Sequence, residues 1–253
     1  MSTGFTGPIV HGTRSNQASY AYRNGMGMMP SAEFDVFHDD FHSFVVATAI
    51  TNGPVANTPW GWQGAIIDSG ATVAVNTTAT VGANGVLTFA DATASEGAAI
   101  YGTKSFQLIT GKKAFIEVRV RTDDVTDNAI QFGLSDLTAT TNPEDLWTTT
   151  AANVLAFGLL DGSATPTLLA DEGNAGTAAV AGTIAMVANT WTTLAIFYDG
   201  LTAHAFVNGK KSLSTAVTVP EAVALAPFFG HINGNGAGGN VVLLDYFRVV
   251  SER

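Results

Sequence analysis

The sequence predicts an all-β sandwich, and three observations carry that prediction. From Glu33 onward apolar residues recur with a period of two, turn signals rich in Gly and Asn separate the runs, and helical periodicity is nearly absent. The 253 residues are 46% apolar, enough for one large core, and sandwiches of this length form a single domain.

The strands are justified in turn. In Ala114–Arg121, Ala114, Ile116, Val118 and Val120 point one way and Phe115, Glu117, Arg119 and Arg121 the other, a strand with one buried and one largely polar face. Trp191–Asp199 is apolar on both faces, as a central strand covered on each side should be, and ends at the Asp199-Gly200 turn. Ala203–Asn208 then leads into Asn208-Gly209, the pair preferred in type I′ hairpins, so Lys210–Leu213 returns as its partner. Val241–Val250 is a long closing strand, and Val86–Ala90, Ser105–Ile109, Ala129–Leu134, Val154–Leu160 and Thr183–Ala188 have strand character. One helical turn is expected at Asn142–Trp147, where Pro143 follows an N-cap residue and acids fill the first turn.

Charge divides the chain. Residues 1–32 carry Arg14 and Arg23 and no acid, whereas the rest has a formal charge of −12. The first segment also holds Tyr20, Tyr22, Met26, Met28 and Met29, with neither a helical nor a strand period. We read 1–33 as an extended arm and 34–253 as the sandwich. Solvated tails are poor in Met and Tyr, and Met supplies adaptable apolar contact. The arm is therefore expected to dock through Arg14, Tyr20, Tyr22, Arg23, Met26, Met28 and Met29. The net charge of −10 argues against nucleic-acid and anionic-membrane partners, which need clustered cations. No apolar run approaches a membrane span. The absence of cysteine excludes disulfides and thiolate metal sites.

Several stretches resemble, in order, the concanavalin A-like (laminin G-like) jelly roll. They are Phe37-His38-Asp39-Asp40-Phe41, then Ala114–Val120 with its F-x-E-x-R pattern, then Thr190–Gly200 continued by Ala205–Lys210, and finally Leu244–Val249. The resemblance spans about residues 34–250 and implies a concanavalin A-like β-sandwich. Jelly rolls with a short arm in front resemble structural proteins of tailed phages. By that analogy the chain is expected to be a non-enzymatic virion component, a capsid decoration or cement protein on the particle exterior. Its partners would be the major capsid protein or another virion protein, within a homo-oligomer. A lectin-like module binding a surface glycan is the alternative, and a glycosidase comes third.

Hydrolases of this fold carry an E-x-D-x-(x)-E spacing, because retaining hydrolysis needs two carboxyls about 5 Å apart. Glu117 is followed on its strand by no second acid, so no catalytic residue is assigned, and Glu117 and Arg119 are expected in a cross-strand network with Asp245 or Arg248. His38, Asp40 and His42 share a strand face but read as a polar edge, and His11, His204 and His231 stand alone, so no metal site is assigned and no cofactor is expected. Asp123-Asp124 with Asp127-Asn128, and Asp171-Glu172 with Asn174, lack a fixed calcium spacing. For sugar binding, Trp60, Trp62 and Trp147 are expected in loops, near a polar loop carrying His231, Asn233 and Asn235.

Overall fold

The computed structural model describes residues 34–41, 53–54, 62–67, 70–75, 85–136, 153–171, 178–221, 223–234 and 239–252. Among them, the strands in chain order are β1 (Phe34–Asp39), β2 (Gly53–Pro54), β3 (Gln63–Ile67), β4 (Thr72–Val75), β5 (Leu87–Ala90) and β6 (Gly97–Tyr101). Then come β7 (Ala114–Thr122), β8 (Asn128–Ser135), β9 (Val154–Leu159), β10 (Thr167–Asp171) and β11 (Ala178–Ala181). The last five are β12 (Thr192–Tyr198), β13 (Thr202–Val207), β14 (Lys210–Ala216), β15 (Ala226–Asn233) and β16 (Val241–Glu252). The described residues contain no helix. The expected turn at Asn142–Trp147 lies outside them, as does the arm, 1–33.

All pairings are antiparallel and form two sheets. Sheet A runs β14-β13-β12-β7-β16-β5-β4, with β1 also on β16, and sheet B runs β11-β10-β9-β8-β15-β6-β3-β2. Ile116, Val118 and Val120 of β7, Leu194, Ile196 and Tyr198 of β12, and Ile130, Phe132 and Leu134 of β8 meet between the sheets, which builds the concanavalin A-like sandwich. The predicted hairpin forms as expected: Asn208 (φ 48°) and Gly209 (φ 78°) both occupy the left-handed region that a type I′ turn demands.

Strand β16 contains a device that alternation alone does not show. Between Leu244 and Tyr246 the register on β7 shifts, leaving Asp245 as the extra residue of a β-bulge. The bulge reverses the parity of the strand. Val242 and Leu244 face the core before it, and Phe247 and Val249 face the core after it. Tyr246 and Arg248 are thereby turned outward, opposite Arg119 and Glu117.

Two expected strands are corrected. Ser105–Ile109 makes a single bridge, Phe106 to Leu225, not a ladder. In Thr183–Ala188 the amides of Thr183 and Ile184 donate to Ser212 Oγ and that of Met186 to Ala164 O, so their hydrogen bonds go to a side chain and a loop. The neighbouring Ala178–Ala181 pairs with β10 instead.

Within sheet B, β8 and β9 approach too closely for side chains at two glycines. A Cβ on Gly133 would lie 2.0 Å from Leu155 O, and one on Gly158 1.8 Å from Ile130 O. Gly133→Ala and Gly158→Ala should each destabilise by about 1–3 kcal/mol or more, since adjacent backbone has to move. Ile196→Ala, by contrast, leaves a core cavity and should cost about 2–5 kcal/mol. Urea unfolding at pH 7 measures all three.

Candidate functional site

Three arrangements lie outside or at the end of the inner core. The first is on the outward side of sheet A. Glu117 is fully buried there. Arg248 Nη2 donates to Glu117 Oε1, and Tyr246 Oη donates to the same atom at 2.7 Å. Arg119 Nη1 donates to Asp245 Oδ2 at 2.6 Å and lies over the Trp191 ring. The expected cross-strand network therefore exists, but its centre is a buried ion pair, not a solvated one. Burial, with the Glu117 charge beside it, pushes the Tyr246 phenol up. Burial and the Arg248 charge push the His38 imidazole down. On the same side of sheet A, Ser214 Oγ lies 2.7 Å from His204 Nδ1, and His204 Nε2 lies 3.2 Å from Asp199 Oδ2. Both ring nitrogens thus have a polar partner.

The second arrangement closes one end of the sandwich. Asp91 Oδ1 accepts Asn233 Nδ2 at 2.8 Å and the Asn240 amide at 2.9 Å. His231 Nε2 lies 2.9 Å from Asp91 Oδ2, yet the two are not aligned for a hydrogen bond. Burial drives the His231 imidazole down to about 3 and the Asp91 carboxyl up. Nearby turn acids are occupied by backbone: Asp124 Oδ1 accepts the amides of Thr126 and Asp127, which hold its carboxyl below the usual range, and Asp123 Oδ1 accepts the Val241 amide.

The third lies on the outward side of sheet B. Cross-strand register places Ala65, Ala99, Gly230, Gln131 and Gly158 in one row across five strands. Gln131 is the one long side chain in that row. It is 0% exposed, and neither its Oε1 nor its Nε2 has a partner. A buried amide left unsatisfied costs about 1–3 kcal/mol, so its persistence calls for an explanation. On one flank Tyr101 and Phe228 stack with ring centroids 6.1 Å apart, and with Val154, Ala156 and Leu169 they form a second apolar cluster. Ser135 and Asp171 lie at the same edge of the face.

Of the sugar-site residues expected from the sequence, the described ones, Trp62, His231 and Asn233, are buried. Trp62 precedes β3 and is fully buried: its Nε1 donates to Asp39 Oδ2 at 2.7 Å, and its ring packs on Phe37, Phe41 and Phe247. Indole area of that size gains most in the core once its N–H has an acceptor. His231 (1% exposed) and Asn233 are buried on strand β15, because the ladder to β8 and β6 runs through the glycine-rich stretch expected to be a loop. Trp60, Trp147, Asn235 and His42, and arm residues Arg14, Tyr20, Tyr22, Arg23, Met26, Met28 and Met29, lie outside the described residues. No sequence signal singles out Gln131.

An antiparallel two-sheet sandwich whose opening and closing strands pair side by side is the architecture of the concanavalin A-like proteins. The family model described as the concanavalin A-like lectin/glucanases superfamily matches residues 104–252, and the chain belongs to that family. Its fold is similar to that of the Emp47p carbohydrate recognition domain, at 12% identity and a TM-score of 0.56, covering 89% of this chain and 100% of that one. It is also similar to peanut lectin (11%, 0.54, covering 87% and 97%). An endo-β-1,4-glucuronan lyase from the fungus Trichoderma reesei shares the fold too (10%, 0.52, covering 80% and 95%). No curated protein matches.

Two predictions follow from these geometries. His231 is neutral when folded and its folded pKa is depressed, so its contribution is complete above about pH 6.5 and is lost on acidification, by up to about 1.4 kcal/mol per pH unit down to about 3. Asp91, raised by burial, acts in the opposite sense, lowering stability as pH rises through its range. It remains in His231→Leu, so the difference in unfolding free energy between that variant and the wild type, measured from pH 7 to 4, isolates the imidazole. Glu117→Ala should cost about 3–5 kcal/mol by leaving Arg248 buried without its partner, and the further change Arg248→Met should recover part of that loss.

Proposed function

We propose that the protein is a non-enzymatic carbohydrate-binding module and that the row through Gln131 is its sugar-contact floor. The observation that carries this reading is Gln131 itself, a buried amide with both polar atoms unmatched, standing between Gly230 and Gly158. An amide offers one acceptor and two donors to sugar hydroxyls, and small neighbours let a ring approach the sheet. The Tyr101–Phe228 pair provides an apolar wall beside it. Family membership supports the reading, as does likeness to a carbohydrate recognition domain and a lectin. Along the described strands of sheet B, Asp171 is the one outward carboxylate. Retaining hydrolysis takes two about 5 Å apart, which favours binding over cleavage.

Because Gln131 has no exposed surface, a sugar has to displace whatever covers the floor. Association should therefore be slower than the roughly 10⁵–10⁷ M⁻¹s⁻¹ of open sites. A glycan array identifies the ligand, and titration of Gln131→Ala tests the site. Affinity should fall about tenfold or more, about 1.4 kcal/mol, while stability stays equal or rises as the unsatisfied amide is removed. An array without hits, or equal affinity in the variant, refutes the reading.

A second reading is a virion decoration protein on the particle exterior, bound to the major capsid protein as a homo-oligomer. It is favoured by the contrast between a cationic arm and a body of −12, and by a surface poor in charge, at 13% of residues. Co-sedimentation with capsids tests it.

A further inference from the structure

Phe115, Phe197 and Phe206 point outward from sheet A: their register partners share that side, while Ile116, Ile196 and Ala205 face the core. Yet each is at most 3% exposed, and Ala195 and Val250 between and beside them are buried as well. Among the described strands the sandwich has two layers, and those that pack on sheet A come from sheet B, on its inner side. Phenylalanines on strands β12 and β13 of an uncovered face would meet water. The face is therefore a seat for a third layer.

We propose that the occupant is residues 1–33 of the same chain. Strand β1 starts at Phe34 and runs beside β16 in this very sheet, so the segment leaves from the edge of the face it would cover. An extended chain of 33 residues reaches on the order of 100 Å, whereas eight strands at roughly 4.8 Å span under about 40 Å. Its content fits the seat. Tyr20, Tyr22, Met26, Met28 and Met29 offer adaptable apolar area against the phenylalanines, and residues 1–32 carry two arginines and no acid, which suits a body of −12 over residues 33–253. Tethering makes the contact intramolecular, which favours it over the same contact between separate molecules. If this holds, the arm is not the part that reaches a capsid shell, and any attachment of that kind belongs to the sandwich.

Hydroxyl-radical footprinting of the full chain and of a chain lacking residues 2–32 tests the proposal. Phe197 and Phe206 should oxidise severalfold faster in the truncated chain, Phe132 and Phe229 in the inner core should not change, and a peptide of residues 1–33 added in trans should restore protection. Equal labelling of Phe197 in both chains overturns the proposal. If the truncated chain also labels at Phe132, it has unfolded. The full-length variant Tyr20→Ser/Tyr22→Ser/Met28→Ser then decides, exposing Phe197 and Phe206 if the arm covers them and leaving them protected if it does not. Protection in the full chain should be independent of concentration. Its loss on dilution would show an arm exchanged between molecules and overturn the assignment to the same chain.

Discussion

A carboxylate removed from water has to be met by positive charge and donors, and the outward half of sheet A is arranged around that requirement at Glu117. Both partners, Arg248 and Tyr246, come from β16, and they reach Glu117 only because the bulge at Asp245 reverses the strand's parity. Without the bulge, continued alternation from Val242 and Leu244 would send Tyr246 and Arg248 into the core and turn Phe247 outward. The bulged residue is itself held, since Asp245 accepts Arg119. One inserted residue thus serves the hydrophobic layer and the charge pair together, consistent with the view that bulges re-aim side chains.

The same sheet and its partner share a property unusual for a two-layer sandwich: each buries part of its outward side as well as its inward side. On sheet A this side is aromatic and ionic, through Phe115, Phe197 and the Glu117 pair. On sheet B it is small and apolar, with Gln131 as the exception. Outward aromatics on a sheet are matched by bulk laid over them. A floor of Gly and Ala is suited to something that lies flat.

Much of this was legible in the chain. Thr192–Tyr198 was readable as doubly buried because Leu194, Ala195, Ile196 and Phe197 leave no polar position, and Asn208-Gly209 names its turn outright. A charge network between Glu117, Arg119 and the closing strand was expected because Asp245 and Arg248 offer complementary charges, and the structure uses both. What sequence hid was long-range. Gln131 sits in the run Ala129–Leu134 like any outward polar residue, and its glycine neighbours, Gly158 and Gly230, belong to strands whose adjacency is a property of topology. His231 and Asn233 were mistaken for loop residues because Gly and Asn density ordinarily marks turns. Here the stretch instead runs through a central strand paired on both sides, and at its end Asn233 donates to Asp91.

The close approach of β8 and β9 has a consequence for how such a protein can diversify. Since Gly133 and Gly158 admit no Cβ without displacing a neighbouring carbonyl, those two sites of the sheet B face are closed to variation. On the sugar-contact floor proposed above, change is channelled elsewhere, to position 131 itself and to the aromatic wall at Tyr101 and Phe228. The scaffold thereby separates a plane that admits no side chain at Gly133 and Gly158 from a few positions that can vary, and a library varied at those three positions would probe them directly.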